Sequence, residues 1–476
     1  MLRTFLFILL LGIGTASHAQ DVWTLEKCVD YAIENNIQIK QAELDKESAE
    51  VNLFGTRMSS LPNLNANTGL NYSIGRSIDP FTNTIIDSDI TSQNGSINAS
   101  VPIFNGFQIR KATLRDEASY QAANYRFEDT KNTITLNVVT FYTNILFNRE
   151  LLEVARLRLE TTKAQADRVQ KQYDLGALAQ ADLLQIKQQL ANDELEVIRA
   201  ENNVELSTLS LKQALQISAE VDFMIETPDL PNPEESQVLE NSSTIYNFAL
   251  NNQPVIKAAE STLESSRHNV GVAKSNYYPS LNLNAGISTA FSSAAPDLLP
   301  AIGAEQIARQ VQIGVVESTG ESVVTTSNVP ADFRENTYWN QLDFNQRRFI
   351  GLSLNIPIFN RFQVKNNVQV AEINLKRNAN NLVLAKNQLQ QTIEQAYLDV
   401  KTASKSYSAL KNSLEASELA FQNAQQRLEL GALDAVAYAQ IKNDYERVKS
   451  DLVRAKYDYI FKLKVLDFYQ GKPLNF

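Results

Sequence analysis

His268 and Cys28 are the residues on which hydrolytic, redox or metal chemistry would have to rest. They are the one imidazole and the one thiol left if His18 departs with an N-terminal export segment. Neither has suitable company. His268 sits in a polar helical run, Ser265-Ser266-Arg267-His268-Asn269, and reads as a solvated residue, while Cys28 lies in an amphipathic stretch and reads as a small half-buried side chain. No His/Cys cluster has metal-ligand spacing, and Cys/His and Ser/His/Asp catalysis lack their parts. A single cysteine also rules out an internal disulfide framework. Serine, threonine and aspartate without a usable histidine form no convergent constellation, so the expectation is a chain that is not an enzyme and needs no cofactor. The residues left with work to do are those that make surfaces.

The elements that carry those surfaces begin after an export signal. Arg3 precedes an apolar run from Phe5 to Ile13, and the small residues of Ser17-His18-Ala19 suit a cut before Gln20, so residues 1–19 read as a signal peptide. A run of about ten apolar residues is half of what a membrane-crossing helix needs, and no later stretch comes closer. A lipid anchor would need a cysteine at the cut, and Cys28 lies further inside. The formal charge of −10 argues against a nucleic-acid partner. Scarce glycine and proline beside abundant Gln, Asn, Ala and Leu favour long helices.

The chain repeats itself. Ile39-Lys40 with Ala42 returns as Ile256-Lys257 with Ala259, and Pro62 returns as Pro279, an offset of 217 residues. Further on, Pro102-Ile103-Phe104-Asn105 returns as Pro357-Ile358-Phe359-Asn360, and Leu175-Gly176-Ala177-Leu178 as Leu430-Gly431-Ala432-Leu433, now at an offset of 255. The added residues fall in the second copy between about Ser292 and Asn345, which reads as an enlarged loop. Residues 20–226 form the first repeat and 240–471 the second; the three-proline segment within 227–239 is a linker, and 472–476 a tail.

Each copy contains two stretches of strict period two. In the first, Leu64, Ala66, Thr68, Leu70 and Tyr72 alternate with Asn65, Asn67, Gly69 and Asn71, and Ile97 to Ile103 behave alike; in the second, Leu281 to Ile287 and Ile350 to Ile358 do so. A strand of about ten residues crosses a bilayer when tilted, with its Asn/Ser/Gly face on water and its apolar face on lipid. Four strands cannot close a barrel, and an open edge cannot persist in lipid, so several chains must share one. A dimer would supply eight strands and a trimer twelve; strand physics leaves both open.

From Phe107 to Tyr173 there is no proline, and Leu152, Ala155, Leu159, Thr162, Ala166, Val169 and Tyr173 keep a heptad seam that the second copy repeats in register. The seam resumes beyond Gly176 and Gly431, which mark hairpin turns. At 1.5 Å per residue the outgoing helix runs on the order of 100 Å, too long for a globular core. The small seam residues Ala155, Thr162, Ser417 and Ala424 read as close-packing devices.

The order helix, strand, loop, strand, long hairpin, twice over after a signal peptide, resembles the TolC-like outer-membrane efflux proteins over essentially the whole mature chain. Trp23-Thr24-Leu25-Glu26 with Ala32 and Asn35-Asn36, and the paired Leu-Gly-Ala-Leu tips, carry that resemblance. It implies an α+β membrane protein: a homotrimer with a twelve-stranded outer-membrane β-barrel, continued by a coiled-coil periplasmic barrel of twelve helices. Each chain would give four strands and two hairpins. It further implies an exit duct for a tripartite efflux or type I secretion system, opened when a periplasmic adaptor paired with an inner-membrane transporter docks at the tips. The docking motif falls on Tyr173, Leu175, Gly176, Ala177 and Leu178, and on Leu430, Gly431, Ala432 and Leu433. Leu178 and Leu433 follow the glycine where a solvated turn has little reason for leucine, and an apolar knob invites a partner. The family's constricting acidic ring falls on Asp182. In the second copy Ala437 holds that position, so the sequence departs from the pattern, and Asp434 is the nearby acid. Against this stand an exported structural coiled-coil protein without a pore, which four alternating strands disfavour, and an outer-membrane enzyme.

Overall fold

The computed structural model describes residues 22–78, 83–87, 89–228, 240–301, 303–430 and 432–472. The signal segment, most of the linker, Gly431 and the tail beyond Lys472 lie outside the described residues. The first copy comprises β1 (Val22–Trp23), α1 (Leu25–Asn35), α2 (Ile37–Met58), β2 (Asn63–Ser73), β3 (Arg76–Ile78), β4 (Ile85–Asp87), β5 (Ile90–Asn105), α3 (Gln108–Asp174), α4 (Gln180–Ala214) and β6 (Met224–Ile225). The second comprises α5 (Ser242–Asn252), α6 (Pro254–Ser275), β7 (Ser280–Ser292), β8 (Leu298–Pro300), β9 (Gln306–Val315), β10 (Ser322–Pro330), β11 (Phe333–Glu335), α7 (Tyr338–Phe344), β12 (Arg347–Asn355), α8 (Gln363–Glu429) and α9 (Ala435–Tyr469). The helices obey both offsets residue for residue: α5 and α6 match α1 and α2 at 217, and α8 and α9 match α3 and α4 at 255. Among the described residues no helix is long and apolar enough to cross a membrane.

The repeats do not coincide with the compact units. Among the described residues one unit is drawn from 22–52, 115–267 and 373–472 and the other from 53–114 and 268–372, so each is assembled from both copies. The first is helical. It takes most of the outgoing helices α3 and α8, of 67 residues each, and the whole of the returning helices α4 and α9, of 35 each. One core packs Leu25, Cys28 and Ala32 against Val138, Tyr142, Ile145 and Leu211; another packs Ile245 and Ile256 against Ile393, Val400 and Leu466. The predicted seams are present: Leu152 and Ala155 pack with Ala200, and Phe421 meets Tyr438 and stacks on Tyr445 at 5.0 Å.

The second unit is built on an antiparallel sheet in the order β12-β7-β5-β2, the four strands expected from alternation. β5 bulges beside Pro102, where the register shifts before Phe104. The second copy behaves differently: β12 stops at Asn355, short of the alternation read to Ile358, and Ile358 is 94% exposed. Pro357 lacks the N–H that a ladder needs, and an edge strand without a second neighbour has nothing to hold it past that gap. The enlarged loop is more than loop. It holds the β9–β10 hairpin, the β8–β11 pair and α7. Helix α7 finishes the edge of β7 beyond β12: the Gln341 carbonyl oxygen Oε1 accepts from Ser292 N at 2.9 Å, and Asn345 Nδ2 donates to Ala290 O at 2.7 Å. Spaced four apart on one helical face, these two amides supply the donor and acceptor that a further strand would have given.

Between strand and long helix both copies turn through left-handed backbone, at Gly106 and Phe107 (φ 63° and 65°) and at Arg361 and Phe362 (54° and 61°). A Cβ at Gly106 would lie 2.5 Å from the Ser275 carbonyl oxygen, whereas Gly176, also left-handed, opens on empty space. Gly106→Ala is therefore expected to cost about 2 kcal/mol or more, from overlap and backbone strain together, and Gly176→Ala only about 1 kcal/mol. Thermal melting of the two purified variants, followed by far-ultraviolet circular dichroism, should rank them in that order.

Candidate functional site

The sheet has two chemically opposite faces, fixed by register. Asn65 pairs with Asn98, and Asn98 with Gly286, while Asn67, Ser96 and Ser288 form the next row. One face is thus paved with uncharged amides and hydroxyls. The other carries Leu64, Leu70, Ile350, Leu352 and Leu354, which are 61–76% exposed. So much contiguous aliphatic surface does not stand in water on a stable fold. Across the polar face, between the sheet and the turn after α7, lies a concavity of about 740 Å³.

The hairpin tips are the second surface. At the first, Gly176 (φ 74°) donates its N–H to Tyr173 O at 2.8 Å and Ala177 donates to Gln172 O at 2.8 Å, a left-handed helix ending. At the second, Ala432 donates to Arg427 O at 2.8 Å; Gly431 itself lies outside the described residues. Leu175 and Leu430, on the near side of each glycine, are 84% and 83% exposed. Leu178 and Leu433, singled out from sequence, are half-buried, as is Tyr173, while Ala177 and Ala432 are exposed. The apolar knobs are therefore the leucines before the turn.

The two acids near the tips cap the returning helices by different routes. Asp182, at the third position of α4, accepts from Ala179 N at 3.3 Å. Asp434, the N-cap of α9, accepts from Ala437 N at 2.8 Å. Ala179 and Asp434 are equivalent at the 255 offset, as are Asp182 and Ala437, so each copy keeps one carboxylate at its helix start but from the opposite end of the turn. Both interactions favour helix initiation.

Further along the hairpins lies a polar cluster that the sequence reading missed. Thr162, taken as a packing residue, donates to Asp193 Oδ2 at 2.6 Å and accepts from Lys442 Nζ at 2.8 Å. Gln189 donates to Asp193 Oδ1 at 2.9 Å, and Lys442 lies 3.5 Å from Glu446. Arg158 Nε sits 2.8 Å from Asp193 and 2.9 Å from Glu446, paired by charge though aligned as a hydrogen bond with neither. Asp193 is 1% exposed and Lys442 4%. Two cations and two anions thus join α3, α4 and α9. The available signal was Lys442 and Glu446 four apart, with Asp193 on the inner face of α4. Burial holds Glu446 above the ordinary glutamate range, against the pull of Lys442 and Arg158, and pushes Lys442 down against the pull of Glu446 and Asp193. Cys28 is fully buried, and its thiol is pushed up to about 12 by desolvation. His268 is half-buried on α6 rather than solvated. Among the described residues no group of His, Cys, Asp and Glu could hold a metal ion.

Sheet, paired hairpins and repeat together define an outer-membrane channel protein. The family model described as "Outer membrane efflux protein" matches residues 28–215 and 245–471, and the chain belongs to that family. The outer membrane is its place, and its homologues are outer-membrane efflux channels. Outer membrane protein TolC of Escherichia coli (strain K12) is 21% identical over 94% of this chain and 82% of its own. Among solved structures, that of CusC superposes with a TM-score of 0.74 at 16% identity, covering 94% of this chain and 92% of its own. The Campylobacter jejuni CmeC outer membrane channel superposes with 0.70 at 19%, covering 94% and 85%.

Two outcomes follow for the cluster. Asp193→Ala leaves buried cations short of a partner and should destabilise the helical unit by about 3 kcal/mol, seen as a lowered thermal midpoint. Because Glu446 has a raised folded value, its contribution to stability is complete below the ordinary glutamate value and is lost as pH rises through the raised one. Across that window the thermal midpoint of Glu446→Gln should therefore fall less steeply with rising pH than that of the wild type.

Proposed function

We propose that this chain is one third of an exit duct, in which three copies close a twelve-stranded barrel and send their paired hairpins out as a twelve-helix periplasmic tunnel. The observation that carries this reading is the four-stranded sheet itself. Among the described residues β2 and β12 have no strand on their outer sides, and the sheet between them has an exposed apolar face. Lipid offers backbone groups no partners, so the free edge of β2 calls for β12 of another copy. The amide-paved face then lines water and the aliphatic face meets acyl chains. Three copies, rather than two, is what the resemblance to TolC-like channels supports.

At the hairpin tips, a periplasmic adaptor docks on Tyr173, Leu175, Gly176, Ala177 and Leu178 and on Leu430, Gly431, Ala432 and Leu433, coupling the duct to an inner-membrane transporter of an efflux or type I secretion system. Leu175 and Leu430 supply most of the apolar area, since a leucine more than four-fifths exposed gains most from being covered. Asp182 and Asp434 form the acidic constriction at the tips, one from each hairpin, each held in place by the helix start that it caps. Leu175→Asp combined with Leu430→Asp is expected to abolish export of the native cargo while the oligomer assembles and reaches the outer membrane normally. Unimpaired export from that variant would remove the tips from the docking reading.

A further inference from the structure

The polar face of the sheet carries a charge that its amide paving does not require. β2, β5 and β7 contain no ionisable Asp, Glu, Lys, Arg or His residue, and β12 contains two, Arg347 and Arg348. Register sends them to opposite faces. Arg347 pairs with Ser288, completing the row Asn67, Ser96, Ser288, Arg347 on the polar side. Arg348 pairs with Ile287 on the aliphatic side, where its guanidinium donates to Gln346 Oε1 at 2.6 Å and 3.1 Å. Phe349 marks the polar face one row further on. Its ring lies within 2.7 Å of where a Gly286 Cβ would stand, beside the Asn98 amide oxygen. An aromatic ring laid over a bare glycine stabilises a sheet and keeps the wall smooth.

Arg347 borders the concavity of about 740 Å³ together with Asn67, Asn94, Ser96, Ser288 and Asn345, and the lining of that space holds no carboxylate. Among the described residues no acid pairs with Arg347. The guanidinium carries a positive charge and offers only donors. A lone cation in an otherwise neutral wall, backed by aliphatic side chains and lipid, projects its field into the aqueous space rather than into a salt bridge.

We propose that Arg347 is a charge-selecting collar of the pore: three copies ring the lumen at this row with three guanidinium groups and favour anionic over cationic solutes. The proposal rests on the reading of the polar face as the lumen. A ring of arginines is the arrangement by which pores attract anions without a binding pocket. Uncharged amides on either side hydrate a passing solute without holding it, so the collar biases entry instead of trapping cargo.

The test uses the full-length chain in outer-membrane vesicles, with Ser288→Cys as a reporter directly across the ladder from Arg347. Cys28 is buried as a neutral thiol and leaves the reporter as the reactive group. Labelling rates are compared for two methanethiosulfonate reagents of similar size, one bearing a sulfonate and one a quaternary ammonium. The anionic reagent is expected to react faster. Adding Arg347→Gln should lower the anionic-to-cationic ratio by on the order of fivefold, while Arg348→Gln should leave it unchanged. A labelled reporter whose ratio ignores Arg347→Gln would overturn the collar. Silence of Ser288→Cys to both reagents would instead overturn the lumenal reading on which the collar depends.

Discussion

Backbone hydrogen bonding at the two edges of one small sheet governs the rest of this molecule. Eleven residues of β2 and nine of β12 each present one side with no strand beside it among the described residues. In water such edges invite aggregation, and in lipid they cannot survive. On the proposed reading the aliphatic face between them excludes the first setting, and the second calls for another copy of the chain. Every other device in the sheet unit is consistent with that requirement. The bulge at Pro102 keeps the central strand paired past a residue without an N–H, and α7 finishes the edge of β7 with side-chain amides where β12 has run out.

The helical unit solves a different problem, that of holding very long helices in register. Apolar seams alone permit sliding, because one heptad packs much like the next. The cluster of Arg158, Thr162, Asp193, Lys442 and Glu446 interrupts this uniformity. Its charges balance, its members are mostly buried, and a shift by a single turn would leave each without its partners. Such a cluster contributes little net stability when intact and costs much when broken, a combination suited to fixing one register among many. Nearer the tips, each acid caps the start of a returning helix while Leu175 and Leu430 stand exposed beside the turns.

Much of this was legible in the residues. Two offsets in the repeat located every long helix, because proline-free heptads bounded by Gly176 and Gly431 leave few alternatives. Strict alternation located the four strands and their faces, because a period of two has one physical meaning in a strand. The limits were equally physical. Pro357 ends its strand and Pro102 does not, a difference set by neighbours and not by local sequence. A hydroxyl on a seam looks like filler, and that of Thr162 reveals its role only when Asp193 and Lys442, 31 and 280 residues away, are brought beside it. The enlarged loop hid two strand pairs and a helix: in β9, Ile307, Val311, Ile313 and Val315 alternate with Ala308, Gln310, Gln312 and Gly314, but no strand of that length answers it in the loop of the first copy. Leu175 and Leu178 flank the same glycine, and only the course of the turn decides which one faces solvent.

In the proposed assembly the sheet is completed by copies of itself. Native mass spectrometry of the protein extracted gently from the outer membrane measures this directly. A complex with the mass of three chains is expected, and a stable, folded monomer would rule the shared barrel out.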